Sequence, residues 1–182
     1  MHRFDAYTHP DRATGFDLVI VTLGDIAIGQ TWGWPLPPGT AWWTGLELDD
    51  AALDHDEFTR ETGKRTFALS EIMVDQTRTG HGIAHALHDE ILSQRLEERA
   101  TLLVDPENPR AYSAYREWGW SRVGTLTPTW DGAPAFDVLI RSHSRYDAPG
   151  SRGARRGAYD SPGDYNAASS TVPRERQHHA ER

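Results

Sequence analysis

The chain has 182 residues, of which 37% are hydrophobic and none is cysteine. This length predicts one domain with a hydrophobic core, and the absence of thiols excludes disulfides, thiolate nucleophiles and thiolate metal sites. No apolar run approaches the roughly 18 residues of a membrane span, so we expect a soluble, cytoplasmic protein without a membrane partner.

Charge is distributed unevenly along the chain. Residues 1–141 carry 12 Lys and Arg against 22 Asp and Glu, a net charge of −10, whereas residues 142–182 carry 7 against 5, or +2. We therefore expect no nucleic acid partner for the folded part, because phosphate binding favours a basic face. An acidic body weakly favours a cationic substrate such as an amine.

The first predicted element is a β-hairpin. Residues 17–23 and 26–32 are rich in β-branched and apolar side chains, and Gly24-Asp25 between them is typical of a tight turn. A Pro- and Gly-rich loop follows from Pro35 to Gly45. The tryptophans in and beside this loop are Trp32, Trp34, Trp42 and Trp43. They either wall a substrate pocket or fill the core.

The central part of the chain alternates helix and strand. Residues 50–62 predict a short exposed helix that ends at Gly63, and residues 66–74 predict an apolar strand. A second helix runs from 82 to about 99, before a buried strand at 101–104. The apolar stripe of this helix consists of Ile83, Leu87 and Ile91. The side chains that the same periodicity turns to solvent are Glu90, Gln94, Glu97 and Glu98.

The last helix has clear end signals. Asn108 suits its N-cap, Pro109 its first position, and Gly119 the position after its end. Residues 120–126 and 135–141 then predict two closing strands.

The composition changes after Ser142, where Gly, Ser, Pro, Arg and His replace the aliphatic residues. Such a segment cannot form a hydrophobic core, so we expect a folded domain at 1–142 and a disordered tail at 143–182. The order of elements in the domain predicts the α/β (α+β) class, with a mixed central sheet flanked by helices.

A glycine turn joins the strand at 66–74 to the helix after it. Gly80 and Gly82 allow a ligand to approach the backbone closely, and the first N–H groups of a helix have no partner inside the helix. An anion can accept hydrogen bonds from these groups. The stretch therefore predicts a phosphate-binding turn.

From residue 17 to residue 141 the chain resembles the GNAT superfamily of N-acetyltransferases. The family motif Arg/Gln-x-x-Gly-x-Gly/Ala corresponds to residues 79–84, although Thr79 takes the first position and Arg78 is the neighbouring cation. A second pattern, Asn-x-x-Ala-x-x-x-Tyr-x-x-x-Gly-aromatic, lies downstream. It is met by Asn108, Ala111, Tyr115, Gly119 and Trp120.

The resemblance implies that acetyl-CoA is the co-substrate and that no metal is required. It implies a cofactor site formed by Met73, Val74, Arg78, Thr79, Gly80, His81, Gly82, Ile83, Ala84 and Asn108. The acceptor would be a primary amine, on a small molecule or a peptide, that attacks the thioester directly.

Two side chains are candidates for the proton transfers. Tyr115 matches the acid of the family, which protonates the leaving thiolate, and Tyr112 is the alternative. We nominate Glu71 as the base. Tyr115 could instead be a packing residue, and Glu71 could instead orient the ammonium or pair with an arginine.

Three further possibilities concern the whole chain. A non-catalytic module of the same fold, binding acyl-CoA or serving as an interaction domain, is the alternative function. The family has a strand and one or two helices ahead of the hairpin, where this sequence has about sixteen residues. The chain would then be a shortened member, the product of a wrongly assigned start codon, or a protein that closes its substrate site with a partner such as a second copy. A metal site at His81, His85, His88 and Asp89 is disfavoured, because His81 lies in the turn and the helix has an exposed face for the other two.

Overall fold

The computed structural model describes residues 15–143 and, as backbone, residues 167–169. The strands are Asp17–Leu23 (β1), Ile26–Pro35 (β2), Leu46–Leu48 (β3), Thr66–Val74 (β4), Arg99–Val104 (β5), Ser121–Leu126 (β6), Phe136–Ser142 (β7) and Ala167–Ser169 (β8). The helices are His55–Thr59 (α1), Ile83–Ser93 (α2) and Pro109–Glu117 (α3), with a 3-10 helix at Gln76–Arg78. In this part of the chain no helix is long and apolar enough to cross a bilayer.

The strands form one mixed sheet in the order β3-β6-β7-β5-β4-β2-β1-β8. β4 and β5 pair in parallel, with α2 as the crossover between them, and the neighbouring pairs are antiparallel. The predicted α/β class with a mixed central sheet is confirmed, as is the hairpin of β1 and β2.

A hydrophobic cluster covers each face of the sheet. On one face, α2 packs through the predicted stripe of Ile83, Leu87 and Ile91, and α3 packs beside it through Tyr112 and Tyr115. On the other face, the loop at 36–45 packs over Ala68 and Val138. We call the first the helix face and the second the loop face.

The helix α2 ends at Ser93, six residues earlier than the predicted end at Arg99. The turn after it is stabilised by Glu97, whose carboxylate accepts a hydrogen bond from the backbone N–H of Leu96 at 3.0 Å. Glu97 is 9% exposed. Its predicted outward position is therefore wrong, because the reversal of the chain turns this carboxylate inward.

The helix α1 is also shorter than predicted, five residues in place of 50–62. Asp54 caps it by accepting from the N–H of Glu57 at 2.8 Å. It ends before Gly63 because the Glu61 side chain is drawn into the core, where its carboxylate accepts from Trp43 Nε1 at 3.1 Å and Thr66 Oγ1 at 2.7 Å.

Two edge strands were not predicted. β3 has three residues and pairs with β6 at one edge of the sheet, and β8 pairs with Val19–Val21 of β1 at the other. Apart from His143 and β8, the predicted disordered tail lies outside the described residues, as do residues 1–14.

Candidate active site

A gap opens in the middle of the sheet where β4 and β5 part. The two strands pair over only three positions, which end at Ala68 and Thr101, although β4 continues to Val74 and β5 to Val104. Beyond Ala68 the β4 edge that faces β5 has no partner strand among residues 15–143. Its main-chain N–H and C=O groups are available to an extended ligand. The predicted cofactor residues Met73 and Val74 lie on this stretch.

A β-bulge at Ser70 shapes the strand beside the gap. Trp32 pairs with Glu71 and Gly33 with Leu69, so Ser70 is the extra residue. The Thr31 hydroxyl donates to the carbonyl of Glu71 at 2.8 Å and holds the bulge. Sequence reasoning missed this feature, although a lone glycine between two strand tryptophans is a signal for it.

The predicted phosphate-binding turn lies at the end of β4. Gly80 and Gly82 have φ of +86° and +77°, and a Cβ added at either would meet no atom within 4 Å. Gly82 is the N-cap of α2 and gives it no side-chain cap. The first N–H groups of α2 therefore have no side-chain acceptor, and the space beside them is open. These are the properties that an anion site at a helix N-terminus requires.

The side chains around this turn differ in exposure and in the hydrogen bonds they make. Arg78 is exposed, whereas Thr79 Oγ1 donates to the carbonyl of Gln76 at 3.0 Å. His81 folds back on the turn, with Nδ1 3.2 Å from the carbonyl oxygens of Arg78 and Thr79. Ile83 is buried in the core and Ala84 is half-buried, so a ligand would meet this segment chiefly through its backbone.

Asp75 fixes the approach to the turn. Its carboxylate accepts from the hydroxyl of Thr77 at 2.6 Å and from the N–H of Thr77 at 2.8 Å. These hydrogen bonds lower the pKa of Asp75, because they stabilise the charged form. The turn thus carries a fixed negative charge at its first residue.

Tyr115 reaches the same region from α3. Its ring lies edge-on to Trp118 and Trp120, with centroids 5.5 and 6.2 Å away. Burial raises the pKa of the phenol to about 12, and the negative charge of Glu71 adds to the shift. The hydroxyl therefore stays protonated at neutral pH and can act as a proton donor.

Glu71 lies on the opposite side of the gap. Ile72 and Val74 pack on the helix face, so alternation along the strand places Glu71 on the loop face, where it is exposed. Its charge nevertheless acts on the Tyr115 phenol. The two predicted catalytic side chains thus lie on opposite faces of the sheet, near enough for the charge of Glu71 to raise the pKa of the Tyr115 phenol.

Asn108, a predicted cofactor residue, serves as the N-cap of α3. Its Oδ1 accepts from the N–H of Ala111 at 3.1 Å, as the sequence predicted for a cap. Its amide nitrogen is the group left for a ligand.

The four tryptophans differ in how deeply they are buried. Trp43 is 4% exposed and belongs to the core. Trp34 and Trp42 are half-buried and meet edge-on, with centroids 5.9 Å apart, on the loop face. Trp32 is 7% exposed and lies on the same face of β2 as Trp34.

The histidines of α2 do not form the predicted exposed pair. His88 is fully buried, because Trp120 Nε1 donates to its Nε2 at 2.9 Å and Trp118 packs against its ring. His85 is exposed and stacks on Trp118 at 4.8 Å. The sequence motif contained Trp120, but nothing in it indicated that a buried histidine would be its partner.

The ligand atoms of His85, His88 and Asp89 lie within 4.8 Å of one another. The hydrogen bond from Trp120 requires the lone pair of His88 Nε2, so the proton resides on Nδ1, which lies 2.8 Å from Asp89 Oδ1. Both ring nitrogens are thereby used. His88 is not available as a metal ligand in this arrangement.

The chain has the fold of the GNAT acetyltransferases, as comparison with solved structures shows. It is similar to Ard1 from Thermoplasma volcanium, with 14% identity and a TM-score of 0.52 over 77% of this chain and 76% of that one. It is also similar to a GNAT family acetyltransferase from Elizabethkingia anophelis with acetyl-CoA bound, with 12% identity and a TM-score of 0.52 over 78% and 82%. A third similar structure, smu.2055 from Streptococcus mutans, has 16% identity and a TM-score of 0.51 over 71% of each chain. The sequence matches no protein-family model and no curated protein.

Proposed function

We propose that the chain is an acetyl-CoA-dependent N-acetyltransferase that acts on a primary amine. The observation that carries the proposal is the gap between β4 and β5, with Glu71 on one side, Tyr115 on the other and the uncapped start of α2 at its end. The fold and the acetyl-CoA bound to the Elizabethkingia protein support the same reading.

The residues at the gap fit the cofactor. The open space at Gly80 and Gly82 suits a pyrophosphate on the amides of residues 79–84, and exposed Arg78 adds a positive charge. The unpaired edge of β4 at Met73 and Val74 suits the pantetheine amides, which would pair as an extra strand does. Asn108 lies at the start of α3, where its amide nitrogen could donate to the same ligand.

The side chains at the gap supply the proton transfers. When bound, acetyl-CoA supplies an activated acetyl group and a thiolate leaving group. Glu71 accepts the proton that the ammonium must lose before the nitrogen attacks, directly or through water. The backbone N–H near Val74 stabilises the charge that develops on the thioester oxygen. Tyr115 then donates its proton to the sulfur as the C–S bond breaks, and it regains one through solvent as the nitrogen loses its second proton to become the amide.

A non-catalytic acyl-CoA-binding module is the second candidate function. Thr79 favours it, because the family has Arg or Gln at this position and the Thr79 hydroxyl already donates to Gln76. Glu71 and Tyr115 across the gap favour the enzyme. If the protein bound acetyl-CoA but acetylated no amine, the result would favour the non-catalytic module over the enzyme.

We place this activity in the cytoplasm, as the cysteine-free composition suggests, and we propose no nucleic acid partner for this acidic domain. The acceptor is a small-molecule or peptide amine. A second copy of the chain is the partner we would look for first, by measuring the mass of the protein in solution.

The cofactor site can be tested by replacing Gly82 with Val. The substitution strains the backbone at a φ of +77° and adds atoms to the open space beside the helix start, so we expect calorimetry to show acetyl-CoA affinity reduced by about tenfold or more. Gly24→Val is the matched control, because Gly24 also has a positive φ, of +60°, and open surroundings in the β1–β2 turn. Unchanged affinity in Gly82→Val would contradict the site.

A further inference from the structure

The loop face of the sheet carries one ionisable side chain where β4 and β5 part. The register places Trp32 beside Glu71 and Trp34 beside Ala68, all on this face. Leu103, two residues beyond the last paired position of β5, joins the cluster of Trp34. Within residues 30–34, 68–74 and 101–103, Glu71 alone of the side chains on this face can carry a charge.

The surroundings of Glu71 are apolar but accessible. Met73, on the same side of β4, is 40% exposed, and Trp34, Trp42 and Leu103 are half-buried. Indole faces attract cations, and aliphatic side chains attract apolar groups. An exposed carboxylate beside such a wall matches an ammonium group attached to an apolar body.

The cation on this face of β5 is Arg99, which lies at the end of the strand away from the gap and already pairs with other side chains. Arg99 Nη2 is 3.4 Å from the Glu61 carboxylate, and its guanidinium lies 4.3 Å from the centre of the Phe58 ring. It cannot also pair with a ligand at the gap. Among the described residues that line the gap on this face, a carboxylate on the acceptor would therefore find no counter-charge, and a second ammonium group would lose its hydration against apolar side chains.

We propose that this face selects a primary monoamine with an apolar or aromatic chain and discriminates against amines that carry a second charge. The inference rests on the proposed acetyl transfer. Glu71 holds the one ammonium group, and Trp34, Trp42, Leu103 and Met73 contact the chain attached to it.

Three six-carbon amines test the selection on the full chain with acetyl-CoA, with thiol release as the readout. Hexylamine carries one charge, 1,6-diaminohexane adds a second ammonium group, and norleucine adds a carboxylate beside the amine. We expect kcat/KM for hexylamine to exceed that of each of the others by about tenfold or more. An equal or higher value for the diamine or for norleucine would overturn the inference, while the release of thiol would leave the proposed function standing.

A pair of variants isolates the effect of charge. Met73→Glu adds a second carboxylate on the same side of β4, and Met73→Gln adds a polar group of the same shape without the charge. The ratio of kcat/KM for the diamine to that for hexylamine should rise about fivefold in Met73→Glu and by clearly less in Met73→Gln, which removes an apolar contact but adds no charge. Equal changes in both variants would contradict selection by charge. Acetyl-CoA bound without thiol release from any amine would overturn the proposed function and this inference with it.

Discussion

Tyr115, Trp118, Trp120 and His88 form one aromatic cluster beside the gap. Trp120 Nε1 donates to His88 at 2.9 Å, and both indoles meet the Tyr115 ring edge-on. Burial in this cluster keeps the phenol protonated and also keeps His88 neutral. A single environment therefore sets the protonation states of two residues with different tasks.

Replacing Tyr115 with Phe tests the phenol as the acid. We expect kcat to fall by about a hundredfold while the KM for acetyl-CoA stays unchanged, because the ring and its packing remain. With the pKa of Tyr115 raised to about 12, the wild-type rate should show no loss from deprotonation of this group below about pH 11. Tyr112→Phe is the control, and an unchanged kcat in Tyr115→Phe would exclude the role.

His88 makes the stability of the fold depend on pH. Burial lowers its pKa from 6.5 to about 4, so below pH 6.5 the unfolded chain binds a proton that the folded chain does not. Above pH 6.5 the protonation of His88 does not affect stability. As the pH falls towards 4, it lowers the free energy of unfolding progressively, by up to about 3 kcal/mol. Denaturant titrations at pH 7.5, 5.5 and 4.5 would measure this loss.

His88→Gln removes the titration and keeps an acceptor for the Trp120 N–H. The variant should be less stable at pH 7.5, and its stability should change less than that of wild type between pH 7.5 and 4.5. Burial also lowers the pKa of His143, so a smaller dependence of the same sign should remain. A dependence identical to wild type would show that His88 is not the titrating group.

At the scale of elements, β2 and β4 pack so closely at Gly33 that there is no room for a side chain. A Cβ at Gly33 would lie 2.3 Å from the carbonyl oxygen of Ala68 and 2.6 Å from the ring of Phe67. No side chain can occupy this position without separating the strands. The glycine opposite the bulge is thus a packing requirement of the sheet.

Gly33→Ala should therefore lower the free energy of unfolding by about 3 kcal/mol or more, because the clash involves backbone that cannot rotate away. Guanidinium chloride denaturation measures the change. Gly24→Asn is the control: its φ is +60° and nothing lies within 4 Å of its Cβ, so its stability should stay near that of wild type. A loss in Gly33→Ala no larger than in this control would contradict the packing argument.

The elements also show which sequence signals were sufficient. Asn108 and Pro109 fixed the start of α3, because a cap is a local interaction between neighbours in the chain. The ends of α1 and α2 depend on Glu61 and Glu97, whose carboxylates are buried by distant residues or by a turn. Helical periodicity predicts that a polar residue off the apolar stripe is exposed, and it cannot indicate that the residue has a buried partner.

At the scale of the molecule, the spacing of the glycine turn and the Asn108–Trp120 pattern sufficed to predict the fold. The edge strands β3 and β8 were missed because three residues carry no periodic signal. The association of Glu71 with Tyr115 was expected only from resemblance, since the two residues lie 44 positions apart. Which tryptophans belong to the core depends on how the loop at 36–45 packs on the sheet, and composition does not encode this.

The extra residue at Ser70 has a further consequence for how this strand can vary. Side chains alternate along a regular strand, and the extra residue of a bulge shifts that alternation by one position. If Ser70 took part in regular pairing, Glu71 would share the face of Leu69, beneath α2, where a lone carboxylate is costly to bury, and Ile72 would point to the loop face. Deleting Ser70 would remove the bulge and still leave Glu71 opposite Trp32, so this one residue can be lost without moving the proposed base to the other face. The position of the proposed base thus depends on Ser70 lying outside the regular pairing as well as on residue type.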